Sequence, residues 1–513
     1  MTDKTNKVVD IHGKPYSRIA FILVILLATF AGTLNQTALG TAIPTLMREF
    51  DISMATAQQA TTWFLLVNGI MVPVSAFLMT RFKTRWLYEI AYVLLFLGLL
   101  MTSLTPADHD SWWIFIIGRC LSALAVGITG PLMQLVMVNI YPPEQRGAVM
   151  GLSGLVVGMA PAIGPTLSGW ILEKDHIILG MTLSNSWRSI FIVPMIILAL
   201  TVLIGPFVFK DVIPKSAGKL DWISLIYSTI GFGMFLWGFT NVAMDGWGDF
   251  KNVILPIIIG LVVIVGFILR QLRLENPFLN VRVFKNKQFT LTTILVALAM
   301  MAMMGVEMML PTYLQNVHGL STLDSGLVLL PGALMVGVIS MVAGAAYDKV
   351  GAKRLSRIGF LILAIGTVPF MFLGMDTPTH YVTLLYALRM FAIALVMMPL
   401  TASAMSALPV ETAADGTAAN STVRQVASAV VVALLTSVTQ NVINNNTPAH
   451  HLMGEDSIKY AFKAAQAALD GFHVSFAIGM SFAVIGFILA NFLAGKHHSK
   501  DIDVEAFEEG KAA

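Results

Sequence analysis

This 513-residue chain predicts an all-α membrane protein with many spans, and three observations carry the prediction. It is 56% hydrophobic and only 12% charged, whereas a soluble domain carries about a quarter charged residues. Apolar runs of the roughly 20 residues needed to cross a bilayer recur fourteen times along it. Its basic residues gather at alternate ends of those runs, the pattern of a chain that crosses a membrane repeatedly. The net charge of +3 is too small to argue for a nucleic-acid partner, and the single cysteine, Cys120, excludes an internal disulfide or a CxxC site.

In order, the runs lie near Ile19–Leu39, Gln58–Met79, Trp86–Leu104, Trp112–Val138, Gly147–Leu172, Trp187–Phe209, Asp221–Asn241 and Val253–Leu272. They continue near Phe289–Leu310, Asp324–Tyr347, Leu355–Gly374, Tyr381–Leu408, Ala418–Val442 and Phe472–Ala494. Tryptophans such as Trp86, Trp112, Trp187 and Trp222 mark run ends, where an amphipathic ring suits the interface. The segment before the first run is polar and no small-residue cleavage site follows, so that run reads as a span and not as a signal peptide. The polar stretch 441–471, with NNNTPAHH and a helical-looking piece over Asp456–Leu469, reads as a solvated outward loop.

Of the 32 lysines and arginines, 23 fall on one side of this topology and six on the other, with Arg119, Arg389 and Arg424 inside spans. The positive-inside rule then places both termini in the cytoplasm. An internal repeat is also visible. SAFLMTRFKTRWL (Ser75–Leu87) and AGAAYDKVGAKRL (Ala343–Leu355) each close a span and open a basic turn, 268 residues apart. Arg119 in IIGRCLSALAVG and Arg389 in YALRMFAIALVM lie 270 apart, two spans after their turns. The expected organisation is a tail over 1–18, a six-helix half over 19–209, two inserted helices with linkers over 210–287, a second six-helix half over 288–494 and a tail over 495–513.

Five motifs in order make the chain resemble the major facilitator superfamily, in its fourteen-span EmrB/QacA-type drug:proton antiporter branch, which includes lincomycin and quaternary-ammonium multidrug exporters. They are LNQTALGTAIP (Leu34–Pro44), GRCLSALAVG around Arg119, GMAPAIGPTLSGW (Gly158–Trp170), AGAAYDKVGAKRL and LPTYLQNVHG (Leu310–Gly319). The resemblance implies the major facilitator fold, two six-helix halves plus two extra central helices. It also implies that Arg119 tunes a nearby proton site and that the fifth-span motif goes with export. The sequence departs from the family pattern at Asn35 and Thr80, where acids are usual, at Lys83 in place of glycine and at Ser122 in place of glutamine.

An arginine within a span costs at least ~2.5–3.5 kcal/mol, so Arg119 must find partners. Two readings fit it: proton coupling, or a brace to neighbouring carbonyls. Arg389 reads as its symmetry mate, and Arg424 as a residue near the start of a span that reaches the interface. In AMMAMMGVEMML (Ala299–Leu310), Glu307 is the one acid read as lying well inside a span, with Pro311 just beyond it. A carboxyl there can carry a proton or attract a lipophilic cation, or it can reach outer headgroups. Asn35, Gln36, Trp63, Asn68, Gln134 and Tyr313 are candidates to line a substrate cavity. Gly158, Pro161, Gly164, Pro165 and Gly169 give the fifth span the small residues and broken ladder of a close-packed, bendable helix. Arg81, Arg85, Asp348, Lys349 and Arg354 form a basic turn cluster, read as a topology signal or as a latch that pairs in one state of a rocking transporter.

The sequence holds no HExxH, no GxxxxGK[ST] phosphate loop and no GxSxG elbow, which argues against an enzyme and an ATP-driven pump. No cofactor or metal is expected. The leading expectation is a plasma-membrane antiporter, functional as a monomer, that exchanges protons for lipophilic, in part cationic, small molecules. Export of one endogenous amphiphile, proton-coupled uptake and a transporter-like receptor are the alternatives.

Overall fold

The structure, a computed structural model, describes residues 10–11, 15–52, 54–178, 181–213, 221–275, 277, 279–307, 309–409, 412–448 and 457–494. The predicted tails therefore lie largely outside the described residues. Fourteen long helices follow in order: α1 Arg18–Thr37, α2 Met54–Arg81, α3 Thr84–Leu104, α4 Trp112–Ile140, α5 Pro143–Glu173, α6 Ile192–Val208 and α7 Trp222–Asp245. Then come α8 Leu255–Arg273, α9 Lys287–Glu307, α10 Thr322–Val350, α11 Ala352–Thr367, α12 Thr379–Ser406, α13 Ala413–Asn446 and α14 Ser457–Ala490. Among the described residues, twelve of these are long and apolar enough to cross a membrane. The other two, α2 and α5, have 28 and 31 residues and pack within the same bundle.

Local chemistry sets several helix starts. Ser321 caps α10 through its hydroxyl, which accepts from the Asp324 N–H at 3.0 Å and donates to the Asp324 carboxylate at 2.8 Å, a reciprocal cap. Asp221 caps α7 by accepting from Ile223 and Ser224 N–H. Between α10 and α11 the chain reverses at Gly351, whose φ of +85° is a conformation that a β-carbon would strain. A two-stranded hairpin, His176–Ile178 with Met181–Leu183, is the one sheet among the described residues.

The packing repeats along the chain. In the first group α1 meets α5 and α6, α2 meets α4, and α3 meets α4 and α6. The same pairings recur eight helices later, among α9, α13 and α14, between α10 and α12, and among α11, α12 and α14. One apolar core is built mainly from α1–α6, with Phe267 of α8 and Ala413 and Ala418 of α13 joining it, and two further cores lie within α9–α14. The groups meet along two seams. At one, α5 lies on α10 in the most extensive helix contact of the molecule; at the other, α2 meets α13 and α7 covers both. Helices α6–α8 turn large apolar side chains outward, among them Phe207, Trp222 and Val262, a surface suited to lipid.

Two expectations shift. The thirteenth helix starts at Ala413 and not at Ala418, so Asp415 is helical and Arg424 sits eleven residues inside α13 instead of near its start. The last helix is already formed at Ser457, so the described part of the helical-looking piece, Ser457–Leu469, belongs to α14, while residues 449–456 of the expected loop lie outside the described residues. Two further acids, Glu89 on α3 and Asp415 on α13, lie on spanning helices near their boundaries. Both lie within two turns of a helix start and have partners there: Arg85 Nε donates to Glu89 at 3.3 Å, and the Asn280 N–H to Asp415 at 2.9 Å.

Candidate functional site

In the α9–α14 group, Glu307 is the last described residue of α9 before Met309–Asn316, and both pieces belong to one candidate span, Lys287–Gln315. Its Oε2 is buried without a hydrogen-bond partner. Arg389, on α12, is fully buried. Its Nη2 donates to the Ala302 carbonyl of α9 at 2.9 Å, and its guanidinium lies 5.5 Å from the Phe370 ring centre. Its Nε and Nη1 have no partner. The charges of Glu307 and Arg389 act on one another, and Tyr386, one turn before Arg389, lies within the field of both. The site is thus a half-buried acid with one buried oxygen, near a fully buried cation with free N–H groups, neither having a partner for those atoms among the described residues.

The matching place in the α1–α6 group has no acid. Arg119, on α4, is also fully buried. Its Nη1 donates to the Asn35 carbonyl at 2.8 Å and to Asn35 Oδ1 at 2.6 Å, and its Nε donates to the Ala60 carbonyl at 3.3 Å. Phe64 lies under the guanidinium, 4.4 Å away, a cation–π contact. The Arg119 Nη2 and the Asn35 Nδ2 remain without acceptors. Neutral Asn35 therefore holds Arg119 in place but balances none of its charge.

The other cavity candidates scatter. Asn68 is buried where α2 crosses Gly127 of α4, and Gln134 is buried with its Oε1 unpartnered. Gln36 is half-buried on α1. Trp63 packs on Trp237 of α7, ring centres 5.2 Å apart, so it joins the inserted helix to α2. Tyr313 is fully buried away from the seams. Its hydroxyl donates to the Gly374 carbonyl at 2.7 Å and contacts His318 at 2.8 Å, so it braces the end of the α9–α14 core.

On α5, Gly164 lies against Thr37 of α1, and Pro165 and Gly169 are helical; the surroundings of Gly158 and Pro161 lie outside the described residues. Close approach to α10 comes instead from Gly151, set against the Ser340 carbonyl, and from Gly326 of α10, set against Thr166. The repeat that pairs the two arginines gave no hint of this contact. In the turn cluster, the Arg85 N–H donates to Asp211 at 3.2 Å, so its described partners, Asp211 and Glu89, are both N-terminal. Arg81 stacks on Phe77 at 5.6 Å, Asp348 and Lys349 each have a partner, and Arg354 is exposed. Asp211, Asp415 and Tyr386 escaped the sequence reading. The first two sit at run boundaries, and an isolated tyrosine in an apolar run carries no signal.

Comparison with known proteins agrees with this architecture. The family model described as Major Facilitator Superfamily matches residues 25–432. The chain is 35% identical to the lincomycin resistance protein LmrB of Bacillus subtilis, over 93% of this chain and 96% of that one. It is 25% identical to the multidrug export protein EmrB of Haemophilus influenzae, over 84% and 82%. Among solved structures, the proton:xylose symporter XylE shares its fold with a TM-score of 0.60 at 15% identity, over 93% of this chain and 96% of that one. The chain therefore belongs to the major facilitator superfamily of membrane transporters.

Proposed function

We propose that the chain is a proton-coupled antiporter that exports lipophilic compounds, cationic ones among them, from the cytoplasm. Residues 19–209 and 288–494 act as two six-helix halves that rock about the α5–α10 seam, with 210–287 as an inserted pair and linkers and both termini cytoplasmic. The observation that carries the reading is Glu307, whose buried, unpartnered Oε2 lies in the field of Arg389. A carboxyl so placed exchanges one proton with little else to rearrange, and its charge is steadied by a cation that cannot leave. When it loses the proton it attracts a lipophilic cation, so proton and cation compete for one site, which is how an antiporter couples their flows. Relatives named for lincomycin resistance and multidrug export support the choice of cargo and direction. In this reading the cell is protected from toxic amphiphiles, and the protein works in the plasma membrane as a monomer without cofactor or enzymatic step.

The test is transport in proteoliposomes. An imposed pH gradient drives accumulation of a fluorescent lipophilic cation by the natural protein, and Glu307→Gln reduces it to the level of empty vesicles while the variant stays folded. Normal accumulation by Glu307→Gln at every pH removes the proposal.

A further inference from the structure

A third arginine, Arg424, has no role in this scheme, and its surroundings point to the cargo. Arg424 is half-buried on α13; its carbonyl accepts from the Ser428 hydroxyl at 3.0 Å, but its guanidinium has no hydrogen-bond or ion-pair partner among the described residues. One turn earlier lie two buried polar residues with open valences. Asn420 is fully buried; its Nδ2 donates to Thr293 of α9 at 3.2 Å, while its Oδ1 has no partner. Ser421 is 5% exposed and its Oγ is unpartnered.

The helix fixes where this cluster faces. At 3.6 residues per turn, Asn420, Arg424 and Ser421 fall within an arc of about 100° and a rise of about 6 Å. Asn420 marks the direction of α9, and Gln425, which lies against Gly69, marks the direction of α2. Arg424 and Ser421 fall between them, where α13 faces the space between the two helix groups. An arginine at that depth without an acid beside it is a standing demand for an anion, and a ligand between the groups is in position to meet it.

We infer that Asn420, Ser421 and Arg424 form an anion-accepting subsite, so that the exported compounds include amphiphiles bearing a carboxylate, sulfonate or phosphate. The guanidinium takes the anionic oxygens and the Ser421 hydroxyl donates beside it. Asn420 Oδ1 accepts from an adjacent N–H or O–H of the cargo. The inference rests on the export reading for its cargo but not on Glu307 for its chemistry.

The test is equilibrium binding to the purified full-length protein in nanodiscs of neutral lipid, with no pH gradient, using a dansylated fatty acid and its methyl ester. The natural protein prefers the acid. Arg424→Gln weakens the acid by at least about tenfold and leaves the ester unchanged, so that the ester serves as the check on folding. Arg424→Lys keeps most of the preference, and Ser421→Ala weakens the acid by less than Arg424→Gln does. Equal affinity of the natural protein for both probes, equal loss of both in Arg424→Gln, or displacement of the acid by anionic lipid added to the nanodisc overturns the subsite. Because no gradient is present, failure of proton-driven transport leaves this result standing.

Discussion

Arg119 and Arg389 occupy matching places in the two helix groups but keep different company. Arg119 is held by four neutral contacts: two from Asn35, one from Ala60 and the face of Phe64. Arg389 has a single carbonyl, Ala302, the more distant ring of Phe370 at 5.5 Å, and the electrostatic company of Glu307 and Tyr386. The first site is well bonded and unbalanced in charge; the second is balanced in charge and poorly bonded. Many hydrogen bonds fix one geometry, whereas a charge pair with free valences can change protonation without being dismantled. The comparison therefore assigns bracing to the N-terminal arginine and proton exchange to the C-terminal pair.

The largest expected effect breaks the second site. Arg389→Leu removes the buried cation whose field acts on Glu307 and leaves the Ala302 carbonyl without its donor, and a buried acceptor left unsatisfied costs about 1–3 kcal/mol before the lost field is added. Transport is lost, and the thermal midpoint in detergent falls steeply at pH values where Glu307 must stay charged. Arg119→Leu removes hydrogen bonds and also an unbalanced charge, so its midpoint falls less. Equal destabilisation by the two substitutions contradicts the asymmetry.

A smaller effect sharpens the first site. Asn35→Asp places a carboxylate where Arg119 Nη1 already donates at 2.6 Å, and a hydrogen bond to a charged group is worth about 1.5–3 kcal/mol. The variant is expected to melt higher than the natural protein, by differential scanning fluorimetry, with Arg119 held more firmly. A lower midpoint shows that Arg119 is already balanced by something other than Asn35.

The smallest effect concerns the inserted pair, which is fastened by surface chemistry and not by a buried cation. Arg270 donates to Asp221 through Nε and Nη2, both at 2.9 Å. Burial pushes the Asp221 carboxyl up, but hydrogen bonds from Arg270 and Ser224 outweigh it and hold it below the usual carboxylate range. A lowered folded-state pKa adds stability at pH above the unfolded value, about 3.9, and that stability is lost as pH falls through the folded value. Asp221→Asn therefore costs about 1 kcal/mol or less at neutral pH, and thermal melts of the two proteins converge in strong acid. A gap that persists there assigns the effect to packing.

The spans are legible in the sequence because lipid admits few charges and a spanning helix needs a set length. The repeat is legible because Arg119 and Arg389 are rare in such runs. What stays hidden depends on distant partners. The start of α13 is too polar for a hydropathy reading, and its acid, Asp415, finds its partner in the distant linker, at the Asn280 N–H. Tyr313 carries the features of a cavity aromatic until Gly374, far along the chain, takes its hydroxyl. Glu307 stands out as an isolated acid, but nothing in its neighbourhood names Arg389 as its partner. Arg424 misleads for the same reason: its depth depends on where α13 begins.

The most direct measurement counts protons. In lightly buffered detergent solution with a pH indicator, adding a lipophilic cation to the purified protein displaces a proton from Glu307 and acidifies the medium. Glu307→Gln releases none, while Asn35→Asp releases as many as the natural protein or more. Undiminished release from Glu307→Gln contradicts the assignment of proton exchange to the C-terminal site.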